Sequence, residues 1–270
     1  MVVLLVGSKG QVGQNIVKQA SEFDWELNGL SRDELDILSA DAIALKFRLM
    51  QPDLVINAAA YTAVDKAESE PKVAYGVNEF GPRNLASACA DAHIPLFHIS
   101  TDYVFDGELN RPYTEDDLVS PLGVYGKSKE LGERSVRSVL DRHIILRTSW
   151  VFSSEGKNFV NTMLRLGKMM PELNVVDDQF GGPTSASAIA KVLLRLVDRY
   201  FRTGHIEWGT YHFSQQPFVS WYEFAESIIE CARDQGLIGH EVVVNNVPSS
   251  AYPTSAVRPI NSRLDSSLFQ

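Results

Sequence analysis

Through the first 150 residues, short apolar runs rich in β-branched residues alternate with longer stretches whose apolar positions recur every three to four residues. The runs predict strands at Val2 to Val6, Glu26 to Leu30, Leu54 to Ala58, Leu96 to Ser100 and Ile144 to Thr148. Between them, QNIVKQASEF, SADAIALKFRLM, VAYGVNEFGPRNLASACADA and GKSKELGERSVRSVL carry the helical period. Asp36 and Ile37, in DILS, are expected on one more short strand, third in chain order. Such alternation implies a parallel sheet covered by helices on both faces, with ligands at the carboxyl ends of its strands.

Past Trp150 the rhythm changes. NFVNTMLRLGKMM reads as a helix, ELNVVDD as a strand, QFGGPTS as a turn-rich crossing and AIAKVLLRLVDRYF as a helix. A strand TYHFS, a helix SWYEFAESIIECARDQG and a strand EVVVNNV follow, and the tail YPTSAVRPINSRLD reads as irregular. The expected fold is α/β: a Rossmann-type doubly wound parallel sheet with a smaller α/β substrate-binding lobe. Residues 1–148 with part of 184–240 would form the dinucleotide-binding domain, and 149–183 with about 241–270 the lobe.

Composition narrows the function. At 270 residues the chain can bury a large core. A net charge of −9 disfavours a general nucleic-acid or anionic-membrane surface, while a small anionic ligand needs only a few local donors. Cys89 and Cys231 lie in helical apolar patterns without metal spacing and read as buried free thiols of a reducing cytoplasm. The opening run MVVLLV has no basic flank and is too short for a signal peptide or a membrane span.

The first strand runs directly into GSKGQVG, which sets Gly7, Gly10 and Gly13 where strand becomes helix. Glycines there permit a tight turn, backbone approach to a pyrophosphate and close packing of helix on strand, while the helix N-terminus offers free N–H groups. After the second strand, an acid would suit the ribose 2′-hydroxyl of NAD and an arginine the 2′-phosphate of NADP. Ser31, Arg32 and Asp33 stand there and offer both, so NADPH is favoured and NADH stays open. NAAAYTAVD ends the strand that begins at Leu54, and the small side chains of Ala58, Ala59 and Ala60 let backbone approach a ligand or a helix.

Tyr125 and Lys129 share a helix face in SPLGVYGKSK. Chance alone supplies this spacing about 0.3 times in such a chain, so position carries the argument. The helix follows a strand ending in HISTDYVF, in a chain with a dinucleotide turn. An ammonium one turn from a phenol favours proton exchange with a substrate oxygen, and a hydroxyl at Ser100 or Thr101 would hold the carbonyl. Carbonyl reduction needs that division of labour: hydride from a nicotinamide, proton from the protein.

These blocks, with NAAAYTAVDKAE, RTSWVF, NFVNTMLRL, DDQFGGPT and YPTSAVRPINSRLD, resemble the extended short-chain dehydrogenase/reductase superfamily and, within it, the dTDP-4-dehydrorhamnose reductase family, from Met1 to the last residue. The resemblance implies reduction of the 4-keto group of a dTDP-sugar, with Thr101, Tyr125 and Lys129 as catalytic set and Tyr125 as proton donor. It implies Gly10, Gln11 and Val12 at the cofactor phosphates, Asp36 and Ile37 at the adenine end, and Ala60, Tyr61 and Thr62 beyond the next strand. Tyr125 and Lys129 would also touch the cofactor. Thr101, Asp102 and Trp150 would contact the sugar nucleotide, and an indole can cover a deoxysugar's apolar face. Asn158 and Arg258 are candidates for the nucleotide phosphates, with capping and surface roles as their alternatives.

Sugar-nucleotide dehydratases of the superfamily carry an acidic pair after this threonine. Here Thr101, Asp102 and Tyr103 follow one another, which favours reduction. A reductase forming the epimeric dTDP-6-deoxy-L-talose, and a non-catalytic dinucleotide-binding regulatory subunit, are the rival readings. Some members dimerise through magnesium held by acids, one of them on the first helix. The matching position is Asn15, which disfavours that bridge; no metal-ligating residues are assigned, Mg2+ stays open, and the chain would be a monomer or a homodimer. Relatives usually run a few dozen residues further to a closing helix, which is expected to be missing here.

Overall fold

The computed structural model describes residues 1–269. In chain order its elements are β1 (Val2–Val6), α1 (Gln11–Gln19), β2 (Glu26–Leu30), α2 (Ala40–Met50), β3 (Leu54–Asn57), α3 (Val64–Ala67), α4 (Pro71–Tyr75), α5 (Gly81–Asp91) and β4 (Leu96–Thr101). There follow α6 (Val124–Val139), β5 (His143–Thr148), β6 (Val151–Phe152), α7 (Phe159–Met169), β7 (Glu172–Val176), β8 (Phe180–Gly181), β9 (Thr184–Ser185) and α8 (Ala186–Thr203). β10 (Gly209–His212), β11 (Val219–Ser220), α9 (Trp221–Asp234), β12 (Val243–Val247) and β13 (Asn261–Ser262) complete the order.

Six strands form one parallel sheet in the order β10-β5-β4-β3-β1-β2. Its central strands are apolar on both sides because both faces are covered. Ile16 of α1 and Leu193, Leu194 and Val197 of α8 pack with Phe97, Ile144 and Leu146 on one face. Ile43 of α2, Leu85 and Cys89 of α5 and Val136 of α6 pack with Leu4, Val55, Leu96 and Ile145 on the other. The chain leaves β1 for β2 on one flank and returns to β3 on the other, which opens a crevice at their carboxyl ends. A second core joins Met163 of α7, Leu173 and Val175 of β7 and Ala225, Ile228 and Ile229 of α9, so α9 belongs with this smaller lobe.

Four local expectations are corrected. No strand forms at Asp36 and Ile37: the Asp36 carboxylate accepts from Leu38 N–H at 3.0 Å and makes a turn, Ser39 caps α2, and Ile37 is buried. The helical pattern from Val73 is broken by a π turn at Gly76–Phe80, and α3 precedes it. QFGGPTS and the tail are not wholly irregular, since β8 pairs with both β11 and β13 and β9 pairs with β6. Cys89 is buried, but Cys231 is exposed, because the buried positions of α9 are Ala225, Ile228, Ile229 and Ala232 and residue 231 lies off that stripe.

Candidate active site

Gly7 adopts φ +85° and its N–H donates to Leu30 O at 2.9 Å, so the chain turns back immediately after β1. A Cβ on Gly7 would lie 2.5 Å from Ala59 N, and one on Gly13 would lie 2.1 Å from Gly7 O. The turn therefore closes only with glycine at both places. Gly10 caps α1 in an extended conformation with no side-chain cap, which leaves the first-turn N–H groups of Gln11, Val12 and Gly13 without helical partners. Gln11 is held by Asn158, whose amide donates to its side-chain oxygen at 2.8 Å.

Beside this turn lies a cavity of about 230 Å3 lined by Gly7, Gly10, Ser31, Arg32, Asp36, Ile37 and Ala58 to Tyr61. The same wall includes Lys9, Leu35, Leu38 and Val77, which the sequence reading missed. Lys9 sits inside the glycine turn and pairs with Asp33 at 3.1 Å, so the acid that suggested NAD is engaged at the surface. Ser31 is buried, its N–H and hydroxyl both donating to Glu34. Tyr61 turns its hydroxyl to Glu70 at 2.7 Å, while its backbone is clasped by the Asn78 amide. Thr62 is exposed just beyond. A wider groove of about 460 Å3 is lined by Asn15, Lys18 and Glu155.

α6 brings the second constellation. Its N-terminus is capped from a distance by Glu68, which accepts from Val124 N–H at 2.8 Å. Gly126 lies so close to the 3-10 turn Asp102–Val104 that a Cβ there would stand 2.1 Å from Tyr103 O. This approach sets the Tyr125 ring edge-on to Tyr103 at 5.4 Å, beside the turn that follows Thr101. Thr101 donates to Asp102 Oδ1 at 3.0 Å, whereas Asp102 Oδ2 is buried with no partner among the described residues. Burial pushes the Asp102 carboxyl up to about 6 against the hydrogen bonds that favour its charge.

The phenol itself departs from expectation. Burial, aided by the Asp102 charge and opposed by Thr101, pushes Tyr125 up to about 12, so the hydroxyl is neutral. Lys129 is also buried, its ammonium donating to Ile99 O at 2.7 Å, and burial brings it down to about 8 while Glu133 works the other way. The lysine thus does not drive the tyrosine to phenolate; the site holds an acid, which is the form that donates a proton.

Trp150 follows β5 at φ +47°, a strained conformation for a tryptophan. It stacks on Trp221, which the sequence reading missed, with centroids 3.4 Å apart, and a Cβ on Gly181 would meet its ring at 2.4 Å. Asn158 caps α7 by accepting from Asn161 N–H, and its amide also donates to Ser153 O, so its polar atoms are committed within the protein. Arg258 forks onto Asp65 at 2.7 and 3.2 Å, tying the tail to α3. Among the described residues no group of three His, Cys, Asp or Glu could hold a metal ion, and no helix is long and apolar enough to cross a membrane.

Comparisons with known proteins identify the family. The family model described as RmlD substrate binding domain matches residues 1–270. A dTDP-4-dehydrorhamnose reductase of Aggregatibacter actinomycetemcomitans is 43% identical over 264 residues, covering 97% of this chain and 90% of its own length. Among solved structures, a dTDP-4-dehydrorhamnose reductase from Clostridium acetobutylicum superposes with TM-score 0.91 at 39% identity, covering 98% of this chain and 90% of that one. Another from Bacillus anthracis, in complex with NADP, gives TM-score 0.89 at 34% identity, covering 99% and 91%. With a family model spanning its whole length and relatives this similar over nearly all of theirs, the chain belongs to the RmlD substrate-binding-domain family, that of the dTDP-4-dehydrorhamnose reductases.

Proposed function

We propose that this chain is a cytoplasmic NADPH-dependent reductase that converts the 4-keto group of dTDP-4-dehydro-β-L-rhamnose to the hydroxyl of dTDP-L-rhamnose. The carrying observation is the Tyr125 phenol packed against the turn that follows Thr101, with Lys129 one helical turn below and a dinucleotide cradle at the same sheet edge. The cradle fits a dinucleotide: Gly7 and Gly13 admit no Cβ, and the α1 N-terminus carries no side-chain cap. In this reading the first turn of α1 binds the pyrophosphate, and Arg32 with Lys9 takes the adenosine 2′-phosphate at the cavity rim. NADPH, when bound, supplies the hydride.

The protein supplies the proton and the orientation. Tyr125 donates to the carbonyl oxygen as charge develops there, and Thr101 holds that oxygen against the phenol. Asp102 Oδ2, buried and unpartnered, accepts a sugar hydroxyl. Lys129 holds the nicotinamide ribose and its positive charge favours the phenolate left after transfer. Trp150, stiffened by Trp221, covers the deoxysugar's apolar face, and Arg258 reaches the nucleotide phosphates. Residues 1–148 with part of 184–240 form the dinucleotide-binding domain, and 149–183 with about 241–270, joined by α9, form the substrate lobe.

The experiment is loss of nicotinamide absorbance when purified protein meets NADPH and dTDP-4-dehydrorhamnose, with proton NMR of the product sugar to separate rhamnose from its talose epimer. Tyr125→Phe is expected to bind NADPH and lose most turnover. Absence of turnover by the unmodified protein with either cofactor refutes the proposal, and a fully active Tyr125→Phe refutes Tyr125 as donor.

A further inference from the structure

One stripe of α6 carries Tyr125, Lys129, Glu133 and Arg137, each four residues from the last, so a phenol is followed by alternating positive and negative groups along a single line. Lys129 and Glu133 are 2% and 0% exposed. Glu133 is gripped from β5 by Arg147, which donates to its two carboxylate oxygens at 2.9 and 2.7 Å, while Arg137 adds a contact at 3.1 Å. Arg147 is fixed in turn by His212 of β10 at 3.3 Å and lies over the Phe105 ring. This assembly touches neither cavity described above. Two cations thus grip one carboxylate, one helical turn from a buried lysine.

We propose that Glu133, locked by Arg147, is a positioning residue that keeps the Lys129 ammonium charged in its dry seat between α6 and the sheet. The inference rests on the reductase reading of Lys129. A buried lysine sheds its proton unless an anion or acceptor compensates. Ile99 O supplies the acceptor, and Glu133 supplies the anion. Glu133 can serve because burial, which opposes its ionisation, is outweighed by the Arg147 fork, leaving it below the usual carboxylate range.

Other groups on the packed elements do not replace it. His98 of β4, His143 of β5 and His212 of β10 are all held below the usual histidine range by burial, and are neutral at physiological pH. From α5 comes the Cys89 thiol, pushed up by burial and therefore uncharged. Asp102 and Tyr103 lie beside the first turn of the helix, where Asp102 takes the Thr101 hydroxyl and burial keeps the Tyr103 phenol uncharged. The charged groups that α3 and α4 add, such as Asp65 and Lys72, are reached by solvent.

The test is a pH titration of the full chain carrying 13C-labelled lysine, with the Lys129 resonance assigned by its loss in Lys129→Met. It is run on the unmodified protein, on Glu133→Gln and on the double variant Glu133→Gln with Arg147→Gln, followed by pH profiles of kcat/KM. Lys129 is expected to titrate near 8 in the unmodified protein. Glu133→Gln should lower it by about one unit, a tenfold change in the ionisation ratio, and the alkaline limb of the rate profile should fall with it. The double variant still lacks the anion and should stay at least about half a unit below the unmodified protein. A purely structural role gives a uniform rate loss with an unmoved limb, and that result overturns the inference. If Glu133→Gln does not fold, the double variant and the unmodified protein still decide: a Lys129 that titrates as high in the double variant as in the unmodified protein overturns it. Lack of turnover beside the expected titration would instead strike the reductase reading.

Discussion

The sharpest perturbation of the proposed site adds one methyl group at a residue with no chemistry. Gly126→Ala would place a Cβ 2.1 Å from Tyr103 O, 3.0 Å from Tyr103 C and 3.1 Å from Pro121 Cβ. Ordinary contact begins near 3.4 Å, so backbone must separate from backbone by roughly 1.3 Å. Neither side yields freely. The Asp102–Val104 turn is tied to Thr101, whose hydroxyl accepts from Tyr103 N–H, and the start of α6 is tied to Glu68. The displacement passes to Tyr125, the adjacent residue, and parts it from Thr101. A misplacement of about 1 Å costs on the order of a hundredfold in rate, or about 2.7 kcal/mol of barrier. Helix propensity pulls the other way, since alanine is about 1 kcal/mol better than glycine inside a helix. The expected result is a roughly hundredfold lower kcat/KM with NADPH affinity within about threefold, because the glycine turn is elsewhere; Lys127→Ala, exposed on the same turn, is the control. Stopped-flow turnover and fluorescence titration measure the two. A Gly126→Ala protein with undiminished turnover refutes the argument that this close approach sets the catalytic geometry.

Three further outcomes follow from the same structure. Arg32→Ala is expected to raise the KM for NADPH about tenfold and leave that for NADH unchanged, since a lost charge-assisted contact costs about 1.5 kcal/mol; equal effects on both would remove Arg32 from the 2′-phosphate. Asp102 has a raised folded pKa, so the folded state binds the extra proton and stability falls as pH rises from about 4 to 6. Asp102→Asn should therefore raise Tm at pH 8, by up to ~3 kcal/mol of stability, and barely at pH 4; equal gains at both would refute the burial argument. Arg258→Ala removes a partly exposed ion pair and should cost at most ~1 kcal/mol of stability, while raising the KM for the dTDP-sugar; an unchanged KM confines Arg258 to holding the tail.

The elements legible in the sequence are those whose signals are local. β1 and the GSKGQVG turn are contiguous, and β-branched runs predicted the strands of the main sheet except for β3's last residue and the shifted ends of β4, β5 and β10. Local signals also misled. DILS has a strand-like composition, yet a side-chain oxygen of Asp36 satisfies the backbone two residues on and stops a ladder from forming. Cys231 was legible in retrospect, because the apolar stripe of α9 at 225, 228, 229 and 232 excludes it. Lys9 was visible within the glycine turn but lay between residues read for backbone shape rather than charge.

What could not be read is the set of long-range supports, and their separations explain why. Glu68 caps α6 from 56 residues away, Asn78 holds Tyr61 and reaches Ser128 from 50, and Asn158 pins Gln11 from 147. No window of sequence contains both partners of any of these. The same limit applied to the tyrosine: spacing placed an ammonium near a phenol, but only the packing of α6 on β4 shows that the ammonium is spent on Ile99 O and that burial keeps the phenol protonated. A reductase needs that proton in place before hydride arrives, so burial, which works against a phenolate base, works for a phenol acid. The chemistry assigned to Tyr125 therefore depends less on its neighbour at i+4 than on Gly126, whose missing side chain lets the helix close over the sheet edge.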